Sequence, residues 1–432
     1  MSIQYKLLSL MFLGLCTSQV HAQSIELTLD QCRDMAIENN VKIKNAETSI
    51  TAAKETSKEA YTNYFPTVSG SAFGYNANKG LIQMDMPDMQ MSMLKNGILA
   101  GVTATQPVFA GGQIVNGNKL AKVGIRVSEL QLDQARKEVV LNVEKYFWQV
   151  VTLKEKKRTL ATIDEMLKSL CNDVDAAVKA GLRTRNDLLQ VQLKRNDIAG
   201  SMLNLDNGLA LSRRVLAQYI GKTNADIDVV LSESVDSVPL FPQQLYVDHS
   251  AALLTTPEYK LLEQNVKSKE LQQKLEVGKN LPTVGIGAGY MYDNLMDKDH
   301  PFGVAFVSVS VPISGWWGGS HAIKERKAQV IIANETMSDA SDLLVINMQH
   351  LWDDVKDAYQ QILIAQNSIE QSTENLRLNQ DYYAAGITTM SDLLDAQSLY
   401  QQSRDKLVEN YSDFKIKVLE YCQATGQDQL PL

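Results

Sequence analysis

Two stretches of this chain, Gln113 to Lys179 and Gly318 to Ala384, carry apolar residues at three- and four-residue intervals and contain no proline. Val355, Ile362, Ile369, Leu376 and Tyr383 fall seven apart, and Ile163, Leu167, Leu170 and Val174 follow a 4-3-4 pattern. Both spacings predict helices with a coiled-coil seam. At 1.5 Å per residue each stretch, about 67 residues, would run ~100 Å. A turn at Ala180-Gly181 or Ala385-Gly386 then leads into a return helix of about 35 residues. A different pattern comes ahead of each long helix. Pro66 to Asn76, Gly97 to Pro107, Pro282 to Tyr292 and Phe302 to Pro312 mix β-branched and aromatic residues with Gly, Ala, Ser and Thr, the pattern of strands. Each strand pair is preceded by a first helix, Thr28 to Asn63 or Thr256 to Lys279, ending just before Pro66 or Pro282, as a proline boundary requires.

This order of parts is written twice. Ala180 to Gln192 (AGLRTRNDLLQVQ) returns as Ala385 to Gln397 (AGITTMSDLLDAQ), with seven of thirteen positions identical at an offset of 205. The same offset pairs Pro107 with Pro312, Lys119 with Lys324, Asn142 with Asn347 and Gly221 with Gly426, while Phe65-Pro66-Thr67-Val68 matches Leu281-Pro282-Thr283-Val284 at 216. The expected organisation is a signal peptide (1–22), a first repeat (23–221) and an inter-repeat linker (222–249), then a second repeat (250–426) and a short tail (427–432). The first repeat holds strands 66–76 and 97–107, long helix 113–179 and return helix 186–220. The second holds strands 282–292 and 302–312, long helix 318–384 and return helix 391–425. A first helix and a return helix stacked end to end would match one long helix, giving four columns of equal height.

The first 22 residues are an address. Lys6, the apolar run Leu7 to Leu15 and the small-residue site Val20-His21-Ala22 make a secretory signal, with cleavage between Ala22 and Gln23. Leu15 ahead of Cys16 is a poor lipoprotein site, which wants a small residue there. Composition narrows the class further. With 44% apolar and 21% charged residues, the chain is that of a folded protein. A net charge of -8 excludes a nucleic-acid surface. Past residue 20 no run of about 18 apolar residues occurs, which excludes a helical membrane protein but not a β-barrel, whose strands are short and half apolar. Cys32, Cys171 and Cys422 are too few and too widely spaced for a disulfide framework or a metal site.

The layout, the Gln106-Pro107-Val108-Phe109-Ala110-Gly111-Gly112 junction and the paired Ala-Gly-x-x-Thr-x-x-Asp-Leu-Leu turns resemble the TolC family of outer-membrane efflux proteins across nearly the whole mature chain. The resemblance implies a mainly α fold with a membrane β-barrel. Antiparallel helical hairpins would form a periplasmic α-barrel, and four strands per chain would enter the 12-stranded barrel of a homotrimer. The implied function is the outer-membrane exit duct of a tripartite efflux or type I secretion system, an efflux transporter channel partnered by a periplasmic adaptor and an inner-membrane pump. Four strands cannot close a barrel alone, so a membrane-spanning chain of this kind has to oligomerise. A periplasmic coiled-coil adaptor and a pore-less periplasmic scaffold are the competing readings.

The site residues follow from the same resemblance. Asp392 and Asp395 match the family's constricting aspartate rings, and lie i, i+3 on one helix face; the plainer reading is that both cap the N-terminus of the final helix. Tyr383 and Asp187 match gate-stabilising positions, although Thr388 stands where the best-known pattern has an arginine, for which Arg183 or Arg185 is a substitute. Gly181, Leu182, Thr184, Gly386, Ile387 and Thr389 make the adaptor-docking tips. Trp316 and Trp317, just after the fourth strand, are expected at the membrane interface, and Phe73, Tyr75, Phe302 and Phe306 are candidates for the lipid or interface face. Gly285-Ile-Gly287-Ala-Gly289 lacks the helix a nucleotide site needs, and His249, His300, His321 and His350 have no ligand spacing. Spacing offers no catalytic constellation and implies no cofactor. Met84, Met86, Met89, Met91 and Met93 are candidate ligands for a soft cation such as Cu(I), the plainer reading being a flexible apolar loop at the outer mouth.

Overall fold

The computed structural model describes residues 25–86, 89–223, 225–231, 233–295, 298–313 and 315–427, with the backbone alone over 83–86 and 89–93. Cys16, Ala22 and Gln23 of the expected signal peptide lie outside the described residues. In chain order the first half contains β1 (Ile25–Leu27), α1 (Leu29–Asn39), α2 (Val41–Thr62), β2 (Thr67–Asn76), β3 (Ile82–Met86), β4 (Met89–Met93), β5 (Asn96–Ala110), α3 (Gln113–Lys179) and α4 (Arg185–Tyr219). After β6 (Ile227–Val229) and a 3-10 turn at Gln243–Leu245, the second half contains α5 (His249–Leu253), α6 (Pro257–Lys279), β7 (Thr283–Asp293), β8 (His300–Ser310), α7 (Gly315–Ala384) and α8 (Met390–Ala424).

The chain folds as two compact units. Asn45–Gln134 and His249–Ile346 form the unit that carries the sheet. Its four strands run antiparallel in the order β2-β5-β7-β8, so two hairpins are joined through β5 and β7. Pro107 cannot donate to the ladder, and the β5–β7 register shifts between Pro107 and Phe109. The chain then turns sharply into α3. Gly111 has φ +59°, and a Cβ there would fall 2.3 Å from the Gly278 carbonyl oxygen at the end of α6. Only glycine permits both that backbone and that approach, which gives the Gly111-Gly112 of the junction motif its physical reason.

The second unit comprises the described parts of Met1–Lys44, Ala135–Asp248 and Asn347–Leu432. Its core includes the seam read from the sequence: Ile163, Leu167, Val174, Val355, Ile362, Leu376 and Tyr383 are buried. Leu170 and Ile369 are half-buried. An aromatic cluster adds to it, with Trp352 at 4.9 Å from Tyr421 and 5.3 Å from Tyr246, and Phe241 at 5.1 Å from Tyr359.

Four expectations change. The first helix is two, because Asn40 leaves helical geometry with ψ 131°. Its side-chain NH2 instead donates to the Tyr219 carbonyl at the end of α4, and its Oδ1 accepts from the Lys42 N–H. The segment 222–249, read as a linker, is a strap with structure of its own. β6 pairs in parallel with β1, Asp228 receives Lys154 and Arg213, and Phe241 and Tyr246 join the aromatic cluster. The first inter-strand loop is not a loop throughout: it contains the β3–β4 hairpin. Finally, α7 begins at Gly315 rather than Gly318, which puts Trp316 and Trp317 in its first turn.

Candidate functional site

The sheet presents two faces of different composition, one mainly apolar and one that mixes hydroxyls with Phe73, Leu99, Met291, Phe302, Val304 and Phe306. Because side chains alternate and directly paired residues share a face, the register fixes both sets. On one face stand Val68, Gly70, Ala72, Ile98, Ala100, Val102, Val284, Ile286, Ala288, Tyr290, Ala305, Val307 and Val309. This set has no charged residue, and Val68, Ile98, Val102, Ile286, Tyr290, Val307 and Val309 are all exposed. A contiguous exposed apolar surface of this kind is foreign to a water-facing sheet. The other face carries Ser69, Ser71, Thr103, Thr105, Ser308 and Ser310, and the Ser69 and Thr103 hydroxyls lie 3.2 Å apart. Phe73, Tyr75, Phe302 and Phe306 belong to this hydroxyl-rich face. The four therefore lie on the face opposite Val102, Ile286 and Val307, since a one-position difference along a strand changes the face.

The outer edges, β2 and β8, pair with no further strand among the described residues. Unpaired backbone at a sheet edge cannot be left in hydrocarbon, since each unsatisfied N–H or C=O costs several kcal/mol there. Trp316 and Trp317 sit in the same unit and are exposed, and the Trp316 indole N–H donates to the Asn280 carbonyl at 2.9 Å.

The two hairpin turns are built alike. Gly181 (φ +73°) and Gly386 (φ +77°) take the left-handed conformation that ends a helix. Leu182 N–H donates to Ala177 and Ile387 N–H to Tyr382, each reaching back five residues to close the same motif. Thr184 and Thr389 then cap α4 and α8, each in a reciprocal box with Asp187 or Asp392 at the third helical position. Between glycine and cap each turn leaves one large apolar side chain in solvent: Leu182 is 78% exposed and Ile387 73%. The sequence duplication is therefore a duplication of geometry.

The gate candidates are brought together only in part. The Asp392 carboxylate accepts from the Thr389 hydroxyl and N–H and from the Thr388 hydroxyl at 2.9 Å. These bonds, Thr389's foremost, hold its carboxyl below the usual range. Asp395, one turn on, is exposed and has no hydrogen-bond or ion-pair partner among the described residues. Tyr383 is buried beside them. The Arg183 guanidinium lies 4.3 Å from its ring centroid and donates to its backbone carbonyl, so Arg183 approaches this corner by stacking. The Tyr383 hydroxyl is buried without a hydrogen-bond partner among the described residues, and burial, followed by the charge of Asp187, raises its pKa. Asp187 itself is used in the Thr184 cap.

The remaining candidates separate from these sites. Cys32 and Cys422 are buried, Cys171 half-buried, and all three are free thiols; burial raises the Cys422 pKa to about 11. His300 approaches Asp293 and His350 approaches Asp354, and no group of three or more His, Cys, Asp or Glu able to hold a metal occurs among the described residues. Gly285 to Gly289 lie inside β7. The side chains of Met84, Met86, Met89, Met91 and Met93 lie outside the described residues.

The comparisons with known proteins agree with this geometry. The family model described as "Outer membrane efflux protein" matches residues 32–222 and 250–427. No curated protein matches the sequence. Among solved structures, the outer-membrane channel OprN shares the fold with a TM-score of 0.78 at 15% identity, over 92% of this chain and 90% of its own. The Campylobacter jejuni CmeC outer membrane channel gives 0.77 at 16% identity, over 93% and 87%. The Neisseria gonorrhoeae MtrE outer membrane channel, in its open state, gives 0.74 at 15%, over 95% and 93%.

Proposed function

We propose, because the chain belongs to the outer membrane efflux protein family, that it works as a homotrimeric channel-tunnel, the outer-membrane exit duct of a tripartite exporter. The observation that carries this reading is the open four-stranded sheet with one apolar, solvent-exposed face. Three such sheets joined β8 to β2 close a 12-stranded barrel, satisfy every edge and turn the apolar face to lipid. The hydroxyl-rich face then lines the lumen. Trp316 and Trp317, in the first turn of α7, meet the interface at the periplasmic side, where amphipathic aromatic rings are favoured.

The tips dock a periplasmic adaptor, which links the duct to an inner-membrane pump. Leu182 and Ile387 supply exposed apolar anchors on rigid turns, as docking surfaces require. In the same region Asp395, with Asp392 beside it, forms an acidic ring from three copies. Such a ring attracts cations and narrows the passage. Arg183 and Tyr383 pack the two hairpins of one chain against each other and hold the ring's radius.

Two experiments test this. Outer-membrane fractions should contain the protein, and its native mass in detergent should be that of three chains; a soluble monomer would refute the reading. Leu182→Asp with Ile387→Asp should leave the trimer intact and abolish in vivo cross-links to the adaptor. Undiminished cross-linking in that variant would move the docking site elsewhere.

A further inference from the structure

One pattern in the sequence is left without a role by the duct. Five of the chain's 15 methionines fall between residues 84 and 93. The backbone folds them into the β3–β4 ribbon, with pairs Ile82↔Met93, Gln83↔Ser92, Met84↔Met91, Asp85↔Gln90 and Met86↔Met89. Residues alternate between the faces of a ribbon, and directly opposed residues share one. Met84, Met86, Met89, Met91 and Met93 are therefore all placed on one face together with Ile82. Gln83, Asp85, Gln90 and Ser92 take the other.

An apolar face alone does not call for this composition. Strand surfaces favour Val, Ile, Thr and aromatic residues, whereas methionine is unbranched and flexible. The five residues share one group those alternatives lack, a thioether sulfur. Soft sulfur donors select Cu(I)-class cations over hard or borderline ones. Opposed Cβ atoms in an antiparallel pair lie roughly 4.5–5.5 Å apart and diagonal neighbours roughly 7–8 Å, so the register brings methionine positions of both strands close together on this face. The ribbon forms a two-stranded sheet of its own. Two-stranded ribbons are marginal in water, and a ligand held by both strands would stabilise this one by mass action.

We propose that the methionine face of the β3–β4 ribbon binds a soft monovalent cation, Cu(I) or Ag(I). The site is independent of whether the duct carries metal as cargo. It also stands without the trimer, since one ribbon supplies both strands. Ag(I) is the probe of choice because it needs no reductant.

The test is equilibrium dialysis of the detergent-purified full chain against Ag(I) in chloride-free buffer, with bound silver counted by mass spectrometry. Every chain compared, wild type included, carries C32A, C171A and C422A, because the three free thiols would otherwise take the silver. Wild type and a control carrying M202L and M337L should each hold at least one Ag(I) per chain. A variant with M84L, M86L, M89L and M91L, which keeps the face apolar at similar volume, should bind at least tenfold more weakly. Equal binding by that variant, or none by wild type, overturns the proposal. If the quadruple variant fails to assemble, peroxide oxidation of the wild type decides instead. Ag(I) should slow sulfoxide formation at Met84 to Met93 at least several-fold relative to Met202, and unprotected oxidation overturns the site.

Discussion

Asp392 and Asp395 are three residues apart and differ in what else they do. Asp392 closes a cap whose partners are Thr388 and Thr389, while Asp395 is exposed and unpartnered among the described residues. In a trimeric acidic ring Asp395 should therefore carry most of the field. In reconstituted channels Asp395→Ala is expected to lose more cation selectivity, and more block by polyvalent cations, than Asp392→Ala. The reverse order would assign the ring to Asp392. Removing the cap from its other side, Thr389→Ala should cost the first turn of α8 on the order of 1 kcal/mol, read as faster hydrogen exchange at Ser391–Leu393. The cap also has a definite pH dependence. Since the folded-state pKa of Asp392 is lowered, its contribution is complete above the ordinary carboxylate value near ~3.9 and disappears as pH falls through the lower folded value. Exchange at those amides, corrected for intrinsic rate, should be flat from neutral pH to about pH 5 and rise only at more acid pH. A rise already above about pH 5 would mean that the carboxylate is not held in the cap.

Among the elements, the strands give the sharpest test because neighbouring residues face opposite ways. Val102 lies on the apolar face and Thr103 on the hydroxyl-rich one. Val102→Lys should cost roughly 2–4 kcal/mol at the bilayer midplane and deplete the protein from the outer membrane, while Thr103→Lys should assemble normally. Equal tolerance of both substitutions would deny that this face meets lipid. The same strands show where sequence reading stops. The long helices were legible because a heptad seam sustained from Val355 to Tyr383 admits few alternatives, and the tips because a repeated Ala-Gly-x-x-Thr-x-x-Asp encodes its own termination and capping. Strand positions were legible from the flanking prolines, but their facing was not. Gly and Ala on β2, β5 and β7 blur the alternation, so Phe73 and Phe302 cannot be separated by pattern from Val102, Ile286 and Val307, and the paired register is needed to put them on different faces. The turn at Asn40 was missed because its cause is a contact with Tyr219, 179 residues away. Arg183 was legible only as a substitute cation, since its stacking on Tyr383 joins the tips of the two repeats.

At the scale of the whole molecule, a four-stranded sheet with an apolar face and two edges unpaired among the described residues is incomplete as a single chain in lipid. The proposed homotrimer would close it, and a closed barrel of 12 strands has a lumen rather than a packed core. Single-channel recording of the detergent-purified trimer, added to a planar lipid bilayer, tests this most directly. Discrete, long-lived conductance steps of uniform size are expected, cation-selective in wild type and less so in Asp395→Ala. Protein that inserts into the bilayer as a trimer yet passes no current, in wild type and in tip variants alike, would contradict the claim that this chain forms a duct.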